Sequence, residues 1–303
     1  RLFLWGGEDG RGRPARGGGW LFDPVGRRWR ATAATALPGR SRPAVAWTGQ
    51  EVLVWGGDVE GRSLGDGAAY HPARDTWRAL PPAPIPARAP AAWAWTGREL
   101  LVWGSSERGS RELRDGAAYD PEVDSWRPLA QAPLALNQAT SAWTGRELLI
   151  VGSWLDENNH SRTPGAAGLG YDPAGDIWRE LPAADLSAQA SAVAWTGWEL
   201  LAWDYELRAS AYEPAGDRWR RLDPLPLGEA ECYPQSAAAG RFVFAQFCSE
   251  HALWDQRSRR WARVGRDLEL GAVVAAGPVF LFAGAETGPA GPGSGRLVAY
   301  NPG

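Results

Sequence analysis

The groups in this chain best placed to do chemistry are arginines and carboxylates that recur at fixed offsets from a repeated Trp. Seven and six residues ahead of Trp47 stand Arg40 and Ser41; the same offsets give Arg88 and Ala89 before Trp95, Leu136 and Asn137 before Trp143, and Ala188 and Gln189 before Trp195. Arg42 adjoins the first pair, and Glu231, Tyr233 and Glu269 fall at matching places further on. A guanidinium is a planar fork suited to carboxylates. Arg40, Arg42 and Arg88 are therefore expected to hold a polar or anionic ligand opposite an acidic side made by Glu231 and Glu269, with Asn137, Gln189 and Tyr233 beside them. A second group is Trp154, Asp156 and His160, joined by Tyr205 and Glu206. Such oxygen ligands suit hard cations, but no Gly stands at the spacing of an EF-hand loop. No metal is expected there, and the reading is a polar loop. There is no phosphate-binding Gly loop and no Cys-x-x-Cys, so no catalytic residue is assigned.

What positions these residues is a repeat. Ala-Trp-Thr-Gly occurs at Ala46–Gly49, Ala94–Gly97, Ala142–Gly145 and Ala194–Gly197. Periods of this size mark a solenoid, a propeller or an array. Each copy holds four short segments. The first ends at Thr-Gly. The second is apolar, as in Val52–Trp55 and Leu100–Trp103. The third is Gly67–Tyr70 and its relatives at Gly116–Tyr119 and Ser210–Tyr212. The fourth carries Trp-Arg, at Trp29, Trp77, Trp126, Trp178 and Trp219, with Trp261-Ala262 as a variant. Segments of four to seven residues bounded by turn residues read as strands, and no longer segment has helical periodicity. Thr-Gly makes a tight hairpin, Gly supplying the left-handed backbone. Asp-Pro-x-x-Asp, as at Asp120–Asp124, is a type I turn signal, the leading Asp bonding back to the chain.

An apolar strand ending in Gly-Gly, as at Val52–Gly57, then Tyr-Asp-Pro, as at Tyr119–Pro121, then Trp about six residues later resembles the kelch repeat. The resemblance covers essentially the whole chain and weakens in the fifth and sixth copies, where Trp203-Asp204 and Phe247-Cys248 replace the Gly pair. It implies an all-β, kelch-type β-propeller of four-stranded antiparallel blades. Second strands end near Trp5, Trp55, Trp103, Val151, Trp203, Gln246 and Ala283, so seven blades with incomplete terminal blades are expected over residues 1–303 as one domain; six is the alternative. The resemblance also implies partner binding at the mouth formed by the loops from strand four to strand one. It brings to mind a copper oxidase on the same fold, but His71, His160 and His251 do not cluster by spacing, and no cofactor is expected. The strand-four Trp residues are expected to lie buried between blades.

Composition narrows the partners. The net charge is -3 and every one of the 32 basic residues is Arg, without the basic footprint of a nucleic-acid binder. No apolar run reaches the length of a membrane span. Met is absent even at position 1, which leads us to expect a processed or trimmed chain. Strand alternation puts the two-to-three and four-to-one loops at one end of each blade and the nearly identical turns at the other. A non-catalytic scaffold recognising a protein or glycan at the variable-loop rim is the first expectation, as a monomer. An enzyme of epimerase or lyase type acting on a polar small molecule or sugar in the central channel is the alternative. Cys232 and Cys248 stand eight residues either side of Gly240. Pairing symmetric about Gly240 would let them form a disulfide, and with it would come a secreted or extracytoplasmic location; the other reading is two reduced, buried thiols.

Overall fold

A computed structural model describes residues 2–6, 18–23, 25–26, 28–105, 113–154, 165–187, 190–228, 234–247, 250–264, 272–276, 279–285 and 295–300. Among them there is no helix. Five four-stranded antiparallel sheets follow one another in chain order. They are Ala44–Trp47, Val52–Trp55, Gly67–His71 and Thr76–Ala79; Ala92–Trp95, Leu100–Trp103, Gly116–Asp120 and Ser125–Pro128; Asn137–Trp143, Leu148–Ser153, Ala166–Asp172 and Ile177–Ala184; Ala190–Trp195, Leu200–Asp204, Ala209–Glu213 and Arg218–Leu222; and Gln235–Ala239, Phe242–Phe247, Glu250–Asp255 and Arg260–Val264. A three-stranded sheet precedes them (Leu2–Leu4, Trp20–Asp23, Arg28–Ala31) and another follows (Ala272–Ala276, Val279–Ala285, Gly295–Tyr300). The chain is an all-β propeller of four-stranded antiparallel blades.

The expectation of seven blades is corrected by the strand inventory. The leading sheet has no first strand and the trailing sheet no fourth, so the described residues hold six first and six fourth strands. That is enough for six complete blades and no more.

The hairpins explain the repeated Gly. Gly49, Gly97, Gly145 and Gly197 have φ of 98°, 97°, 94° and 105°, and a Cβ at any of them would meet nothing within 4 Å. Backbone conformation, not space, therefore demands Gly there. The sixth hairpin turns on two residues, Gly240 and Arg241, with Ala239 opposite Phe242. That register is centred between Gly240 and Arg241 rather than on Gly240; both Cys232 and Cys248 lie outside the described residues.

Backbone contacts divide the chain into two units, Arg1–Asn137 with Gly145–Leu148 and Tyr171–Trp178, and Gln138–Thr144 with Leu149–Gly170 and Arg179–Gly303. In the first, Leu53, Trp55, Ala69, Leu100, Val102 and Tyr119 form one apolar cluster. In the second, Leu201, Trp203, Val243, Ala245, Phe247 and Trp254 form another. The fully buried indoles are thus those of strand two, Trp55, Trp103 and Trp203, with Trp254 of strand three. The strand-four Trp residues, expected to be buried, are only half-buried. Strand four is the outer edge and has one face in water. Each strand-four indole instead leans on at least one aromatic neighbour, as Trp126 does on Trp55 and Tyr119 at 5.4 and 5.2 Å. Four of them also donate a hydrogen bond to the preceding sheet: Trp77 Nε1 to the Ala33 carbonyl at 3.0 Å, Trp126 to Pro81 at 3.0 Å, Trp178 to Ala130 at 2.8 Å and Trp219 to Pro182 at 2.9 Å. Replacing Trp103 by Ala is expected to cost about 3–5 kcal/mol, the range for emptying a packed aromatic site. Trp126→Ala should cost less. Urea unfolding of the two variants checks the order.

Candidate functional site

The loops that vary between copies emerge at one end of the sheets, and their charges face inward more than the sequence suggests. Arg40, just ahead of its first strand, is buried. Its Nη1 donates to Asp66 Oδ1 at 2.8 Å and to the Gly56 carbonyl at 3.1 Å, Nη2 to Asp66 Oδ2 at 3.4 Å, and Nε to the Pro38 carbonyl at 3.2 Å. Arg88 repeats the arrangement one copy on, with Asp115 Oδ1 at 2.7 Å, Oδ2 at 3.0 Å and the Pro86 carbonyl at 3.0 Å. The Arg88 hydrogen bond holds the Asp115 carboxyl below its ordinary range. Both forks tie the four-to-one loop to the two-to-three loop of the same sheet. The expectation that Arg40 and Arg88 face a ligand is corrected accordingly: what reaches solvent is the outer edge of Asp66 and Asp115.

The fourth copy places Leu136 and Ala167 at the two corresponding positions, both buried. One ion pair has been exchanged for two apolar residues, a swap that costs little when both partners change together. In the fifth sheet the charges are reversed. Asp204 stands where Gly56 does and is fully buried. It accepts from the Ser187 amide at 2.6 Å, the Glu206 amide at 2.9 Å and Arg208 Nε at 2.8 Å.

The other expected site residues separate. Arg42 is exposed, sits at φ 52° and pairs with Asp58 at 3.1 Å. Asn137 opens a first strand and Trp154 follows a second strand, both half-buried. Tyr205 meets Phe247 edge-on at 6.3 Å, and Glu206 pairs with Arg208 at 3.3 Å. Gln189, Glu231, Tyr233, Glu269, Asp156 and His160 lie outside the described residues. No group of three or more His, Cys, Asp or Glu suited to a metal ion occurs among the described residues.

Sequence reasoning missed a constellation at the opposite end. Asp75, Asp124, Asp176 and Asp217 close the Asp-Pro-type turns with φ of 53°, 49°, 50° and 46°, a region that Asp tolerates better than most residues. Each accepts the hydroxyl of the Tyr five residues earlier, Tyr70 at 2.6 Å, Tyr119 at 2.5 Å, Tyr171 at 2.7 Å and Tyr212 at 2.5 Å. The strand-four Arg of the preceding sheet reaches the same group: Arg30 meets Asp75 at 2.8 Å, Arg78 meets Tyr119 and Asp124 at 2.9 and 3.0 Å, and Arg179 meets Tyr212 and Asp217 at 2.9 and 3.1 Å. Within its own sheet, Arg78 is held by Glu51 at 2.7 Å and Arg127 by Glu99 at 2.8 Å. Burial, and then the bond to Asp124, pushes the Tyr119 hydroxyl up to about 12; Tyr212 is pushed to about 12 for the same two reasons with Asp217. The signal was present as Tyr and Asp five apart, following Trp-Arg one copy earlier.

Compared with known families the chain matches no family model, and it matches no curated protein. The class that fold and site define is therefore the propeller itself, with its titratable groups engaged mainly in joining sheets.

The inward-facing clamps give a direct expectation. Asp115→Ala strands the buried Arg88 charge and should cost about 3 kcal/mol, whereas Arg88→Leu combined with Asp115→Ala, copying the fourth repeat, should recover most of that loss. Urea midpoints of the single and double variants decide it.

Proposed function

We propose that this chain is a non-catalytic binding or scaffold propeller of kelch type that recognises a protein or glycan through its variable loops. One observation carries the reading. The Thr-Gly turns between strands one and two keep one geometry, as do the Asp-closed turns between three and four, while the connection from strand two to strand three runs from fifteen residues between Leu4 and Trp20 (20 − 4 − 1) to two between Phe247 and Glu250 (250 − 247 − 1). A frame held constant beneath loops of changing length is how a scaffold presents different side chains on one surface. The described Arg and Asp side chains add to this. Arg40, Arg78, Arg88 and Arg179 are spent in pairs with carboxylates that join loops or sheets.

The same proposal takes residues 1–303 as one propeller domain of six blades acting as a monomer. It places the protein outside the cytoplasm, a placement that rests on Cys232 and Cys248 and is tested by thiol titration of the unreduced, unfolded chain.

The expected outcome is a ligand from a glycan array or a protein interaction screen whose binding slows amide hydrogen exchange in the two-to-three and four-to-one loops. The Thr-Gly turns should be unaffected by that ligand. Protection confined to the turns, or turnover of a sugar substrate by the isolated chain, would contradict the reading.

A further inference from the structure

The junction between the fifth and sixth sheets breaks the rule that the four junctions before it obey. Where four copies hold Asp at the left-handed turn, the sixth holds Arg259, at φ 56°. Its partner is changed as well, since Trp254 stands in the position of Tyr212 and brings no hydroxyl. Glu199 is the counterpart of Glu51 and Glu99. Its Oε2 accepts from two arginines at once, Arg220 at 2.8 Å and Arg259 at 3.1 Å, and its side chain is only 6% exposed.

Beside this pair of guanidiniums lies a cleft of about 580 Å³ lined by Trp198, Glu199, Glu213, Ala215, Arg218, Arg220 and Arg259. Three arginines against two carboxylates leave one positive charge in excess (3 − 2 = 1). Glu199 is shared between two of the arginines, and Glu213 is taken by Arg218 at 2.8 Å. The wall is equally particular to this copy. Trp198 follows Thr-Gly at a position held by Gln50, Arg98 and Arg146 in the other hairpins, and it is 58% exposed. An exposed indole next to surplus guanidiniums costs solubility and leaves cationic forks facing outward, so it calls for a ligand with a flat apolar face and an anionic group.

We propose that this cleft binds a uronate, a sugar ring carrying a carboxylate. The C–H face of the ring lies on the Trp198 indole and the carboxylate is held by the forks of Arg259 and Arg218. The volume falls in the range of small-molecule sites. An acidic peptide would satisfy the arginines, but an Asp or Glu side chain offers no flat face to Trp198. The cleft sits at the end of the sheets that carries the Thr-Gly turns, so this site and the loop-face function stand or fall separately.

The test uses the whole chain and calorimetric titration with three probes: a trisaccharide of uronate units, its neutral counterpart, and an oligoglutamate of similar charge. Saturable binding of the uronate is expected, with the other two at least about tenfold weaker. Two variants copy residues that sister repeats already tolerate and so preserve the fold, as equal melting temperatures will show. Arg259→Asp restores the usual turn residue and Trp198→Gln the residue of the first hairpin, and each should weaken uronate binding about tenfold or more. Absence of saturable uronate binding, equal binding of oligoglutamate or of the neutral sugar, or affinity unchanged in Arg259→Asp would overturn the proposal.

Discussion

The joints between sheets depend on a carboxylate held at a left-handed turn. Asp75 shows the arrangement in full. Its Oδ1 takes the Tyr70 hydroxyl and the Ala33 amide, and its Oδ2 takes Arg30, so one side chain bonds its own sheet, the backbone leaving the preceding sheet and that sheet's outer strand. The Asp75 carboxyl is held below its ordinary range, first by the Tyr70 hydroxyl and then by the Ala33 amide. A flat antiparallel sheet cannot cover its own faces. Packing of strand-two apolar residues such as Leu53 and Trp55 against Val102 and Tyr119 supplies the attraction, and it is without direction. The Tyr–Asp–Arg joint supplies the direction, because hydrogen bonds to fixed oxygen atoms tolerate little sliding.

That use of charge shapes what the protein can do. Arg40 and Arg88 are enclosed in their clamps, and Arg78, Arg127 and Arg179 are committed to joints. The frame absorbs groups that, judged by residue type alone, look like binding residues. Functional surfaces are then to be sought where the pattern is broken. One such place is the loop end, where connection lengths differ from sheet to sheet. Another is the fifth-to-sixth junction, where Arg259 replaces the turn carboxylate and Trp198 stands exposed.

Much of the frame was legible in the residues. The strands at Val52–Trp55, Leu100–Trp103 and Gly116–Asp120 fall where alternation and turn chemistry put them, because Thr-Gly and Asp-Pro each fix a local backbone conformation. Blade number was less so, since seven second strands were counted while the six first and fourth strands set the limit. The burial of Arg40 could not be read from position, because an Arg seven residues ahead of a Trp can point into the loop or out of it. The choice depends on Asp66, twenty-six residues away in sequence, returning to meet it. The strand-four indoles misled for a related reason: a repeated Trp signals a repeated contact, but not how much of the ring water still reaches.

The account is tested most directly by stability against denaturant across alkaline pH. In the folded chain the Tyr119 and Tyr212 hydroxyls keep their protons up to about pH 12, whereas freed in the unfolded chain they lose them near 10.0. Their contribution is therefore complete below about pH 10 and is lost as the pH rises through about 12. The account predicts a urea midpoint that falls over that window. For a variant carrying Tyr119→Phe and Tyr212→Phe, it predicts a lower midpoint at neutral pH and a shallower fall. A variant as stable as the parent at neutral pH, with an unchanged alkaline slope, would contradict it.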